Sequence, residues 1–90
     1  MKELHIGNLI KSKLLEDGRS IVWLANNMNC SRDNIYKMLR KQHLDCDVLL
    51  KISVIMNYNF FELYSRLFKK LQKEGYSKIK NMISDEKSNN

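Results

Sequence analysis

Seven side chains with hydrogen-bonding tips fall between residues 32 and 41: Arg32, Asp33, Asn34, Tyr36, Lys37, Arg40 and Lys41. Wound at about 100° per residue, this stretch puts Ile35, Met38 and Leu39 on one arc of a helix. Asp33, Lys37 and Arg40 fall on the opposite arc. Asn34, Tyr36 and Lys41 flank that outer face, and Arg32 stands at the exposed start. The chemistry on offer is recognition. Arg and Lys donate to guanine O6 and N7, Asp accepts from cytosine N4, Asn pairs with adenine, and a Tyr ring packs on a thymine methyl. A short rod bearing such a face fits the major groove of duplex DNA. Ser31, directly upstream, can cap the rod and, with the first amides of the helix, hold a phosphate. Bond-breaking chemistry finds no counterpart. The sequence has no paired-carboxylate motif, no nucleophile with a matching base and no glycine-rich phosphate loop, so it is not read as an enzyme.

A reading helix needs a second helix to hold it. Residues 21–28 supply one, with Ser20 as N-cap, Leu24 and Met28 as its inner stripe, and Ile21 and Trp23 at the margin. Ala25 is small enough for two backbones to approach at a steep angle. Asn29-Cys30 forms the corner, because Asn tolerates the left-handed conformation. Ser31 then caps the third helix, residues 32–40, whose Ile35 and Met38 return to the seam. This is the layout of a helix-turn-helix.

The flanking sequence is helical too. Ile6, Ile10 and Leu14 share a face of helix 1, residues 3–16, with Leu4 and Leu9 beside them, and Asp17-Gly18-Arg19 ends it. After the loop Lys41-Gln42-His43-Leu44, Asp45 is the expected cap of helix 4, residues 46–56, whose apolar set is Val48, Leu49, Ile52, Ile55 and Met56. Asn57-Tyr58-Asn59 makes a second corner. Helix 5 starts near Phe60 and carries Leu63, Tyr64, Leu67, Phe68 and Leu71 toward Glu74. Tyr76, Ile79, Met82 and Ile83 can form a further amphipathic turn or two before a polar end. With no proline and apolar residues recurring at threes and fours, the 90-residue chain is expected to be all-α. Its length suits one domain. That domain is placed at residues 1–68, with 69–90 as a basic, partly helical extension.

With those residues in place, the chain resembles the phage-repressor-like helix-turn-helix family, also called the Xre or Cro type. The resemblance covers roughly residues 6–64 and rests on three stretches. One is Ile6-Gly7 with Ile10. Another is SIVWLANNMNCSRDNIYKML, residues 20–39, where Leu24-Ala25, Ser31-Arg32 and Ile35 fall at the family's most recurrent places. The last is LLKISVIMNYNFFEL, residues 49–63, similar to the family's fourth helix, corner and fifth helix. The resemblance implies a compact five-helix, lambda-repressor-like DNA-binding domain and a transcriptional regulator. It puts base reading on Arg32, Asp33 and Lys37, then on Asn34 and Tyr36, and a phosphate contact on Ser31. The chain departs from the pattern at Ile21, where a phosphate-touching Gln is frequent, and at Asn29, where Gly is. Leu39 replaces a polar or acidic residue. Lys13 replaces an apolar one, with Leu14 in its role.

Other readings compete at several positions. Charged helix faces are commonly just solvated. Asp33 can pair with Lys37 at i,i+4 instead of reading a base, and Tyr36 can pack rather than read. Cys30, His43 and Cys46 match no common zinc spacing; no metal and no cofactor are expected. Both cysteines are expected as free thiols, Cys30 filling the corner and Cys46 packing inward, and His5 is read as a surface residue. Trp23, Tyr36, Tyr58, Phe60, Phe61 and Tyr64 sit at helical spacing around the corners and are expected in the core rather than stacked on single strands.

The net charge of +6 favours a polyanionic partner without choosing one. Residues 1–64 hold nine Lys and Arg against seven Asp and Glu, whereas residues 65–90 hold seven against three. The basic excess therefore lies mostly outside the reading helix, and nonspecific binding through residues 66–80 is a further possibility. The stripe Leu63, Tyr64, Leu67, Phe68 and Leu71 is expected to support a homodimer. The alternative function is a protein-interaction module, such as an antitoxin or adaptor, using residues 60–83. No apolar run suits a signal peptide or a membrane span, so a cytoplasmic protein is expected.

Overall fold

In the structure, a computed structural model that describes residues 4–74, every regular element is an α-helix. The helices are α1 (Ile6–Glu16), α2 (Ile21–Met28), α3 (Arg32–Leu39), α4 (Cys46–Met56) and α5 (Phe61–Glu74). The domain is all-α, as the apolar spacing predicts. Tyr76, Ile79, Met82, Ile83 and the rest of the expected extension beyond Glu74 lie outside the described residues. The expected boundary at residue 68 falls inside α5, which continues unbroken to Glu74.

The first four helices and the second corner supply one buried core. Ile6, Ile10 and Leu14 come from α1, Leu24 and Ala25 from α2, Ile35 and Leu39 from α3, Leu49, Ile52 and Met56 from α4, and Phe60 from the second corner. Side chains as fully enclosed as Ile10, Leu24, Ile35 and Phe60 each stabilise the fold by about 1.5–3 kcal/mol relative to exposure. α3 packs on both α1 and α2, and α2 packs in turn on α4. The third helix is thus braced on one side only, leaving its other side to solvent.

Local chemistry sets the helix ends. The Ser20 hydroxyl accepts the Trp23 N–H at 3.0 Å, and the Ser31 hydroxyl accepts that of Asn34 at 3.2 Å. α1 stops at Gly18, where φ is +70° and the following Arg19 N–H reaches back to the Leu14 carbonyl at 2.8 Å. Asn29 and Asn57 end α2 and α4 in the left-handed region, at φ 56° and 52°. At the second corner the buried Ser53 hydroxyl accepts the Phe60 N–H at 3.3 Å, which fixes the start of α5.

Several sequence-based expectations are corrected. α1 begins at Ile6 rather than residue 3. His5 is its N-cap, with Nδ1 accepting the Asn8 N–H at 3.0 Å, so the half-buried His5 is not a free surface residue. α3 ends at Leu39, one residue short of the predicted 32–40, and Arg40 is its C-cap. Asp45 occupies the N-cap position of α4 without making a side-chain cap bond. Cys46 is exposed rather than packed inward, while Cys30 is partly buried at the corner. Lys13, replacing an expected apolar residue, lies 4.6 Å from the centroid of the Tyr58 ring and 3.5 Å from the Asp17 carboxylate. Its long stem thereby serves the packing role without burying the charge.

Candidate nucleic-acid interface

The helix-turn-helix corner is built from three small decisions of the sequence. Ala25, 3% exposed, lets α2 and α3 approach. Asn29 turns the chain through the left-handed region, and the Cys30 N–H closes the turn on the Ala25 carbonyl at 3.0 Å. Ser31 then starts α3 at once. Ala25, Asn26, Asn29, Cys30 and Ser31 line a shallow surface hollow at this corner.

From there α3 sorts its side chains as the angular reading predicts. Ile35 and Leu39 are buried and Met38 is partly buried against the core. Arg32, Asp33, Asn34 and Lys37 are all exposed, and so are Arg40 and Lys41 just beyond the helix. The i,i+4 pair between Asp33 and Lys37 does not form. Among the described residues the ion pairs are those of Lys13 with Glu16 and Asp17, so none of the candidate reading side chains is held by a salt bridge. The Ser31 oxygen is used as a cap acceptor, and its O–H remains a donor for an anion.

Tyr36 is about half exposed (49%). It faces a cleft toward α1, sharing it with His5, Asn8, Lys11, Leu39 and Arg40. It neither packs in the core nor lies on the outermost line of α3. The cleft also brings Lys11 beside the candidate interface. Lys11 carried no sequence signal, because only the crossing of α1 over α3 puts it near Arg40.

The loop after α3 is tied down at two points. The Ile6 N–H donates to the Gln42 carbonyl at 2.8 Å and the Gly7 N–H to the Lys41 carbonyl at 3.1 Å. A side chain at Gly7 would collide with the Leu39 carbonyl oxygen. The glycine is therefore needed for close backbone approach. On the other side, His43 Nδ1 lies 2.7 Å from the Tyr64 hydroxyl. Burial of the Tyr64 ring, reinforced by the negative charge Cys46 carries when ionised, raises the phenol pKa above its usual value.

α5 has a different character. Leu63 and Tyr64 touch the core, but no residue of this helix is fully buried. Tyr64, Leu67, Phe68, Leu71 and Gln72 line an apolar hollow on its outer part, and Phe68 is 61% exposed. Among the described residues no three His, Cys, Asp or Glu side chains converge to hold a metal ion, and no helix is long and apolar enough to cross a membrane. Comparison with family models, curated proteins and solved structures finds no match to this chain.

Proposed function

We propose that this protein binds duplex DNA sequence-specifically, as a transcriptional regulator that lays α3 in the major groove. The observation carrying this reading is the solvent face of α3, where Arg32, Asp33, Asn34 and Lys37 stand exposed, with no salt bridge among the described residues, on a helix braced from behind by α1 and α2. An α-helix is about 10–12 Å across with its side chains, which suits a groove about 12 Å wide. Arg32, Asp33 and Lys37 read bases, with Asn34 and Tyr36 at the margins. Ser31, Arg40 and Lys41 hold phosphates. A homodimer through Leu63, Tyr64, Leu67, Phe68 and Leu71 would read two half-sites about one helical turn apart. The test is a binding assay of Arg32→Ala and Lys37→Ala on a selected duplex. Each variant is expected to lose about 1–3 kcal/mol and to relax base preference at its own position. Unchanged affinity and preference in both would refute the assignment.

One observation favours a second reading, a protein-interaction module such as an antitoxin or adaptor. The apolar hollow on α5 continues beyond the residues that touch the core, with the exposed Phe68 among those that line it. A partner helix would fit there. Full-length protein that stays monomeric and fails to retain DNA at low salt would favour this reading over the first.

A further inference from the structure

The guanidinium carbon of Arg19 lies 4.1 Å from the centroid of the Trp23 ring at the start of α2. Such a contact engages the cation through the π face of the ring and uses none of its five N–H donors. The nearest carboxylate in sequence, Asp17, is already turned to Lys13 at 3.5 Å, and Arg19 makes no ion pair among the described residues. Arg19 is exposed. The result is a positioned cation with its donors uncommitted.

We infer that Arg19, held by Trp23, is a phosphate clamp for the DNA backbone. This inference rests on the reading of α3 as the major-groove helix. In that arrangement the preceding helix crosses the backbone. The eight residues of α2 run about 12 Å from the Asn29 corner to their far end. Arg19 precedes the first residue of α2 by two positions, at the end of that helix remote from the corner, so it faces backbone phosphates rather than base edges in this arrangement. A planar fork of N–H donors suits a phosphate oxygen pair.

Trp23 is the chain's one tryptophan and reports on this site directly. Full-length wild type, Arg19→Ala and Arg19→Lys are titrated with a selected duplex and with a scrambled duplex, following Trp23 emission across a salt series. Wild-type emission is expected to change on binding. Arg19→Ala is expected to weaken both duplexes by the same factor and to lower the slope of log affinity against log salt by about 0.9. Its deficit should shrink by a factor of about 3 between about 50 and 200 mM salt. Arg19→Lys, which keeps the charge, should recover the slope. An Arg19→Ala slope equal to wild type overturns the inference, even with a lowered Tm, because a purely structural role supports α2 without releasing a counterion. A change in base preference in Arg19→Ala also overturns it. Equal wild-type binding of the two duplexes refutes base reading by α3 and leaves the slope to judge Arg19. Absence of duplex binding overturns both.

Discussion

Gly7→Ala puts opposing effects in competition at one position. Helix propensity alone favours the change, since alanine stabilises a helix by up to about 1 kcal/mol over glycine. The structure reverses the sign. A Cβ at this position runs into backbone atoms of Leu39 and Lys41, which cannot rotate away as a side chain tip could. Overpacking of this kind costs about 1–3 kcal/mol. Relief requires the loop after α3 to move off α1, which weakens the Ile6–Gln42 and Gly7–Lys41 hydrogen bonds at about 1 kcal/mol each. Setting the propensity gain against these losses leaves a net destabilisation of about 2–4 kcal/mol. Urea denaturation followed by circular dichroism measures it, with an unchanged m-value showing that the same surface is exposed on unfolding. Stability equal to or above wild type would refute the close-approach argument. The loop that must move carries Lys41, so the same variant should also bind DNA more weakly.

Other outcomes follow from single features of the structure. Asn29→Ala puts an ordinary side chain at φ 56° and should cost about 1 kcal/mol, read as a Tm lower by about 4–8 °C for a domain of this size, whereas Asn29→Gly should keep the wild-type Tm or raise it. Ser20→Ala removes the acceptor for the Trp23 N–H and should cost about 1 kcal/mol in denaturant melts. The raised Tyr64 pKa means that the folded state holds the phenol proton after the unfolded chain has released it. The matching stability is complete below the ordinary tyrosine pKa and is lost as pH rises through the folded-state value. Tyr64→Phe should therefore show a shallower alkaline loss of stability than wild type, and parallel curves would contradict that. Phe68→Lys, at a position 61% exposed, should leave the melting midpoint nearly unchanged while abolishing any self-association seen by sedimentation.

What could be read in the sequence is what local chemistry decides. Ser20 and Ser31 sit where a cap is needed, and Asn29 where the backbone must turn left-handed. The spacing of Ile35 and Leu39 fixes which side of α3 faces inward. The features that escaped depend on partners distant in the chain. Gly7 reads as a weak helix former until the loop at Lys41 and Gln42 is laid against it. The His43–Tyr64 bond spans 21 positions, and nothing near either residue announces the other. Lys13 looks misplaced until Tyr58 is brought beneath it. His5 is an uncommon cap residue, so its hydrogen bond to the Asn8 N–H gave no warning. Cys46 shares a helical face with the buried Leu49 and Ser53, yet it stands at the first position of α4 and is exposed there, which spacing alone does not reveal.

Base reading by the exposed face of α3 is open to a single experiment. Selection of bound sites from random duplex DNA by the full-length protein tests it most directly. The expected result is enrichment of one site, formed of two related half-sites about one helical turn apart, with the preference relaxed at defined positions in Arg32→Ala and Lys37→Ala. Recovery of unenriched DNA, bound by wild type and both variants alike and lost with rising salt, would contradict it.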